Sequence, residues 1–416
     1  MPNISVTALY RIALPAFIRG LAVAMSLGAV LLSYHVLPAT EFTELNLILF
    51  CVAAGSSLAA PINRNFWLED PERAFAPASA SSMVLTWGAV LIGYAVPHIL
   101  GYRDIGSITA SFAAILYVFS KSSERFLYSL TLSRSNINQA LFIMLVFSFS
   151  EILSLAFMYV MTLESVGYRL ALPALIFICF IGFTRFRTSI RQTLITLRTP
   201  RNVLADIYTL TVRAPGPSVL LLTAAMTAAG MIDRLFVAYG NIFDARLGAD
   251  YLLALSYAIA LQTVLNILFD IARRHIFFQD QWQPRAKAYS TAILGMLLGT
   301  CLVAIAFYPL FTAFKIIPST IAWITWAAMA LRSTALLAGY ICFVDMFQKG
   351  NTMPALTVAI SILASVILFF VFLGTGVSLV VSSSVMAAAL LVVLLTLCIR
   401  LPLAIKKQAA LCTVGD

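Results

Sequence analysis

The chain has 416 residues, 61% of them hydrophobic and only 11% charged. A soluble globular domain carries roughly 25% charged residues, so this balance excludes one and points to a polytopic membrane protein. The formal net charge of +10 invites a nucleic-acid partner, but the placement of the charges accounts for it without one.

A bilayer core needs ~20 apolar residues per helix. Twelve runs reach that length: 12–34, 43–62, 79–100, 108–132, 138–162, 168–186, 217–240, 248–272, 288–312, 317–343, 353–373 and 377–400. The first contains Pro15 and Arg19 and reads as a retained span, not as a signal peptide. Lys121, Glu124 and Arg125 interrupt the fourth, and Glu151 lies within the fifth. The seventh carries Asp233 beside Arg234, in "GMIDRLFVAY" (230–239), and the tenth carries Arg332. Gln262 and Asn266 sit four residues apart in the eighth, which puts them on one helical face.

With the N-terminus cytoplasmic, Lys and Arg gather in the inner connections. Arg64, Arg73, Arg134, Arg273, Arg274, Lys349, Lys406 and Lys407 are among them. The outer connections hold only Arg103, Arg169, Arg246 and Lys315. This is the positive-inside pattern, with both termini cytoplasmic, and most of the net charge is topological. The longest inner connection, 187–216, is a basic linker that separates a bundle over 1–186 from one over 217–403, with a cytoplasmic tail at 404–416. Arg187, Arg191 and Arg198 share a helical face there, which suits anionic phospholipids as well as plain solvation. Both halves have six spans in the same orientation, as a parallel repeat requires. "LPATEFTELNLIL" (37–49) and "FDARLGADYLLAL" (243–255) fall at equivalent places in it.

Ionisable residues inside a membrane are costly, and functional by default. Spans 1, 4, 7 and 10 are equivalent in pairs under the repeat, and each carries a cation: Arg19, Lys121 with Arg125, Arg234, and Arg332. A cleft lined by them would suit an anionic passenger such as a diphosphate, because guanidinium groups bind such oxygens bidentately. Gln262 and Asn266 add a stripe suited to hydroxyl-rich ligands. The acids Glu124, Glu151 and Asp233 fit two roles, structural pairing with these bases or binding of a coupling cation, H+ or Na+.

Catalytic signals are missing. The six cysteines form no C-x-x-C, and His35, His98 and His275 lie far apart. Neither a P-loop nor an H-E-x-x-H is present, and the outer connections are short. No cofactor, no metal and no enzymatic reaction is expected. A transporter is favoured.

The stretch "DRLFVAYGNIFDARLGADYLLALSYAIA" (233–260) resembles the seventh-to-eighth-span region of polysaccharide flippases in the multidrug/oligosaccharidyl-lipid/polysaccharide exporter superfamily. Asp233 matches the acid in span 7, and Leu247, Gly248 and Tyr251 match the restart, although Ala249 and Asp250 separate Gly from Tyr. "RIALPAFIRGLAV" (11–23) is similar to the opening span. The resemblance implies an all-α fold of about twelve transmembrane helices in two six-helix bundles, a V-shaped alternating-access transporter. It implies transfer of a polyprenyl-diphosphate-linked oligosaccharide across the bacterial inner membrane, for O-antigen or exopolysaccharide synthesis. Arg19, Arg125, Arg234 and Arg332 would then hold the diphosphate and any acidic sugars.

Other readings compete. A multidrug or metabolite secondary transporter of the same superfamily would favour acids over bases in its cleft, and here bases lead. A peptidoglycan lipid flippase commonly has more spans. The loop "NRNFWLEDPERAFAP" (63–77) lacks the G-x-x-x-D-R-x-G-R-R signature of the major facilitator superfamily. A membrane-embedded glycan polymerase or ligase would need a longer outer loop, and a scaffold subunit would tolerate loss of the intramembrane arginines.

Overall fold

The computed structural model describes residues 6–53, 108–133, 137–184, 245–276 and 282–334, with isolated positions elsewhere, Arg234 and Val237 among them. Every regular element among them is helical: α1 (Val6–Val36), α2 (39–53), α3 (Ile108–Ser133), α4 (Ile137–Val160), α5 (Val166–Gly182), α6 (Ala245–Ile276), α7 (Trp282–Ala313) and α8 (323–334). Seven of the expected spans have a counterpart in α1, α3, α4, α5, α6, α7 and the described part of α2, and α8 covers the middle of an eighth. The runs 79–100, 217–240, 353–373 and 377–400 lie outside the described residues apart from isolated positions, as does most of the 187–216 linker.

Local chemistry sets the ends of these helices. Pro38 lacks an N–H and stands between α1 and α2, where its carbonyl accepts from Phe42 N at 2.9 Å. Two ends use the same reverse turn. After α4, Leu163 N donates to Met158 O at 2.9 Å over a left-handed Thr162 (φ 52°), and after α7, Ile316 N donates to Phe311 O at 2.8 Å over Lys315 (φ 55°). Both satisfy carbonyls that the helix leaves open. At the start of α5, Ser165 accepts from Gly167 N at 3.3 Å, and the Glu41 carboxylate accepts from Val166 N at 2.8 Å. A carboxylate there also suits the positive end of the helix dipole.

The chain divides into two compact units, one of 1–227 with 231–253, the other of 228–230 with 254–416. In the first, α4 packs against α1, α3 and α5, and α3 against α5. Its centre is aromatic. Phe147 meets Tyr117 edge-on at 5.8 Å and Phe177 at 5.1 Å between centroids. Small buried residues, including Ala113, Ala114, Ser120 and Ala174, let α3 and α5 come close enough for Ser120 Oγ to donate to Ala174 O at 3.3 Å. In the second unit, Trp326 is buried against Phe311 and Tyr308, Tyr308 donates to Ile321 O at 2.7 Å, and Thr300 pairs with Thr334 at 2.9 Å.

Two described helices are long and apolar enough to cross a membrane, over Leu141–Val160 and Leu294–Ala313. Their polarity is the reverse of a soluble helix. On α4, Phe142, Phe149, Leu153 and Phe157 are exposed, while Ser148, Glu151 and Ser154 are buried. On α7 only 22% of the apolar window is buried, and Leu294, Leu298, Leu302 and Ile305 stand in a row on the surface. In water, such faces would associate.

Candidate functional site: a buried ionic cluster

Glu151 sits in the middle of α4, 5% exposed. Its Oε1 accepts the Tyr117 hydroxyl of α3 at 2.8 Å, and Arg169 Nη2 of α5 stands 3.8 Å from the same oxygen. Its Oε2 receives a 3.4 Å bond from Ser26 Oγ of α1, and Ser26 lies 3.4 Å from Ser148 Oγ. Four helices therefore converge on one carboxylate.

Arg169 is 1% exposed. Its Nε donates to Ser33 Oγ at 2.9 Å, and Ser33 donates onward to Ala29 O at 2.6 Å. Its Nη1 is buried with no hydrogen-bond acceptor among the described residues, and at 3.8 Å the contact from Nη2 exceeds a hydrogen bond. The gross attraction of such a pair is about 4 kcal/mol at an effective dielectric of roughly 20. Desolvating both ions costs several kcal/mol each, so this is an expensive way to join helices and an effective way to hold charge inside a bundle.

A second pair adjoins the first along α3. Lys121 Nζ stands 3.1 Å from Glu124 Oε2 and 4.1 Å from the centroid of Phe147, the ring that also packs on Tyr117. Tyr117, Lys121 and Glu124 are spaced four and three residues apart, one face of one helix. This cluster can hold or exchange a cationic partner at Glu151, and it presents one partly accessible ammonium at Lys121, 23% exposed.

A smaller cluster joins α1 to the start of α6. Tyr34 donates to Asp250 Oδ1, Arg246 Nε stands 3.6 Å from that oxygen, and the Arg246 guanidinium covers the Tyr34 ring at 5.0 Å. Gly248 lies where a β-carbon would come within 2.9 Å of Val237 Cγ1, which explains glycine at this point of the "LGADY" restart.

The expected site residues fare unevenly. Lys121, Glu124 and Glu151 come together in the first unit, with both acids partnered by cations. Arg234 is buried in helix within the first unit, and Arg332 is buried on α8 in the second. Arg19, Arg125, Gln262 and Asn266 lie on α1, α3 and α6, but their side chains are outside the described residues, as is Asp233 entirely. One assignment is corrected. Arg169, counted among the outer-connection cations although it falls just inside the expected run 168–186, is a buried member of α5, whose first turn begins at Val166.

Sequence reasoning also passed over Tyr117, Ser26 and Ser33. A signal for Arg169 does exist in the sequence. Val166, Arg169, Leu170, Pro173, Ala174, Phe177 and Ile181 recur at helical spacing, and all are buried. Among the described residues no group of His, Cys, Asp and Glu is arranged to hold a metal ion. Comparison with protein-family models, with curated proteins and with solved structures finds no match to this chain.

Proposed function

We propose that the protein is a multi-pass transporter of the bacterial inner membrane that flips a polyprenyl-diphosphate-linked oligosaccharide between leaflets for surface polysaccharide synthesis. The observation that carries the transport reading is the inverted polarity of α4. A helix of mean hydropathy 2.2 over Leu141–Val160 turns phenylalanines outward and a serine–glutamate face inward, onto Arg169 and Tyr117. A bilayer solvates the outer face, and the buried charges give the interior a task that packing alone does not require.

The choice of cargo rests on the excess of intramembrane cations and on the likeness of 233–260 to polysaccharide flippases. In this reading about twelve spans form two six-helix bundles that alternate access, with both termini cytoplasmic. Lys121, Arg19, Arg125, Arg234 and Arg332 are the candidates for contacting the diphosphate and acidic sugars, and Gln262 and Asn266 for contacting hydroxyls. Glu151 and Glu124, already partnered, belong to coupling and structure.

The test is the leaflet distribution of lipid-linked oligosaccharides in a deletion strain, read with a membrane-impermeant glycosidase on right-side-out vesicles. Completed units held on the inner leaflet support the flippase. Units that reach the outer leaflet unpolymerised point to a glycan polymerase instead, and an unchanged lipid-linked pool points to drug or metabolite transport.

A further inference from the structure

We propose that Arg169 is the resident cation of the Glu151 site, holding the position a coupling metal ion would need, so that the carboxylate exchanges protons and not sodium. The inference rests on the transport reading and names the coupling chemistry of its buried site.

Glu151 offers two oxygens. Oε1 already accepts from Tyr117 and faces Arg169, whereas among the described residues Oε2 has only the long bond from Ser26. A metal ion at Oε2 needs several oxygens converging on one volume. Among the described side chains the groups facing Glu151 are mainly donors: Tyr117 from α3, Arg169 from α5 and Ser26 from α1, with the Ser148 hydroxyl next to Ser26 and, beyond Tyr117, Lys121 already paired with the Glu124 carboxylate. Arg169 also places a fixed positive charge 3.8 Å from the carboxylate, and a guanidinium does not give up its proton. A proton needs a single lone pair and no volume.

Nor is the ion pair locked. Nε is tied to Ser33, Nη2 stops short of hydrogen-bond distance from Glu151, and Nη1 is buried without an acceptor among the described residues. The step balances simply. A proton from solution bonds to Oε2, and the neutral carboxyl donates that hydrogen to Ser26 Oγ, which turns its own hydrogen toward Ser148 Oγ. Tyr117 keeps its bond to Oε1, and Arg169 keeps Ser33 but loses its counter-charge. The site passes from neutral to singly positive, and loss of the proton reverses it. A conformation that gives Nη1 and Nη2 a new acceptor is then favoured in the protonated state, which is the differential stabilisation that coupling requires.

The test uses purified full-length protein in nanodiscs and needs no cargo. The thermal midpoint is compared in sodium chloride and choline chloride of equal ionic strength, for the wild type, Arg169→Lys and Arg169→Gln. The wild type and Arg169→Lys should be indifferent to the cation, and Arg169→Gln should gain a sodium-dependent rise of about 2 °C or more. In parallel, infrared difference spectra on acidification should show a neutral-carboxyl band that Glu151→Gln lacks. Should Arg169→Gln not fold, the wild-type sodium comparison and the Glu151→Gln spectrum still decide. Sodium stabilisation of the wild type would overturn the proposal, as would an acid-induced carboxyl band that survives Glu151→Gln. A chain that passes these tests yet leaves lipid-linked oligosaccharides in their normal leaflet retains the proton site and loses the flippase reading.

Discussion

Tyr34, two residues before the end of α1, donates its hydroxyl to the buried carboxylate of Asp250 on α6, 216 residues further along the chain. Arg246 completes the group from outside, 66% exposed at its side chain, over the ring and beside the same carboxylate oxygen. One contact is sheltered and the other is wet, and their energetic weights should differ accordingly.

Tyr34→Phe removes a buried donor from the Asp250 carboxylate, which should cost about 1–3 kcal/mol. Arg246→Ala removes an exposed ion pair and a solvated cation–π contact, and should cost less than about 1 kcal/mol. Unfolding of the purified protein ranks the two variants. Raised salt should narrow the gap between Arg246→Ala and the wild type and leave the Tyr34→Phe deficit in place.

For Glu151 and Arg169 the informative experiment is a double-mutant cycle. Arg169→Leu alone strands a buried carboxylate, and Glu151→Leu alone strands a buried guanidinium, each at a cost of about 3–5 kcal/mol. The double replacement should lose less than either single one, because both desolvation penalties vanish together. Additive losses would mean that the 3.8 Å separation carries no coupling.

Much of this organisation was legible in the sequence for a simple reason: a charge in an apolar run stands out whatever it touches. Glu151, Lys121 and Glu124 were found that way, and the structure brings all three to one cluster. Arg169 was not, because a cation in the first two residues of an expected span reads as a loop charge at the membrane edge, and helix ends shift by several residues with capping. Here Ser165 and Glu41 start the helix early enough to draw the arginine inside. The Tyr34–Asp250 contact had no local signal. The two residues sit near the end of one helix and the start of another, 216 positions apart, and only the packing of those helices brings them together; Asp250 figured in the sequence only as a departure from a spacing pattern.

Gly248 offers a test of that packing. Alanine there gains about 1 kcal/mol of helix propensity but drives a β-carbon to within 2.9 Å of Val237 Cγ1. Overpacking typically costs about 1–3 kcal/mol, so Gly248→Ala should be destabilising on balance. Adding Val237→Ala should relieve the clash and lift the double variant above Gly248→Ala. Failure of that rescue would mean that the restart needs glycine for another reason.

Thr162 and Lys315 pay for reversing the chain in a left-handed conformation that L-residues avoid by roughly 1–2 kcal/mol. Thr162→Gly and Lys315→Gly should therefore raise stability, by about 0.5–1 kcal/mol each after the added freedom of the unfolded chain is counted. The two positions lie in separate units, so the gains should add. Paired melting curves of the single and double variants check both statements.

Lys121 separates a cargo contact from a structural pair. Its ammonium is held between Glu124 and the face of Phe147, yet its side chain keeps 23% of its surface accessible. If it serves only to neutralise Glu124, Lys121→Gln should be destabilising and Lys121→Gln with Glu124→Gln should recover both stability and function. If it meets the diphosphate, the double variant should melt like the wild type and still leave lipid-linked oligosaccharide on the inner leaflet. The flippase reading expects the second result, with Lys121→Arg retaining transfer, because a guanidinium keeps the charge and can reach phosphate oxygens in the same direction. Full transfer by the double variant would remove Lys121 from the cargo path and leave the task to the buried arginines.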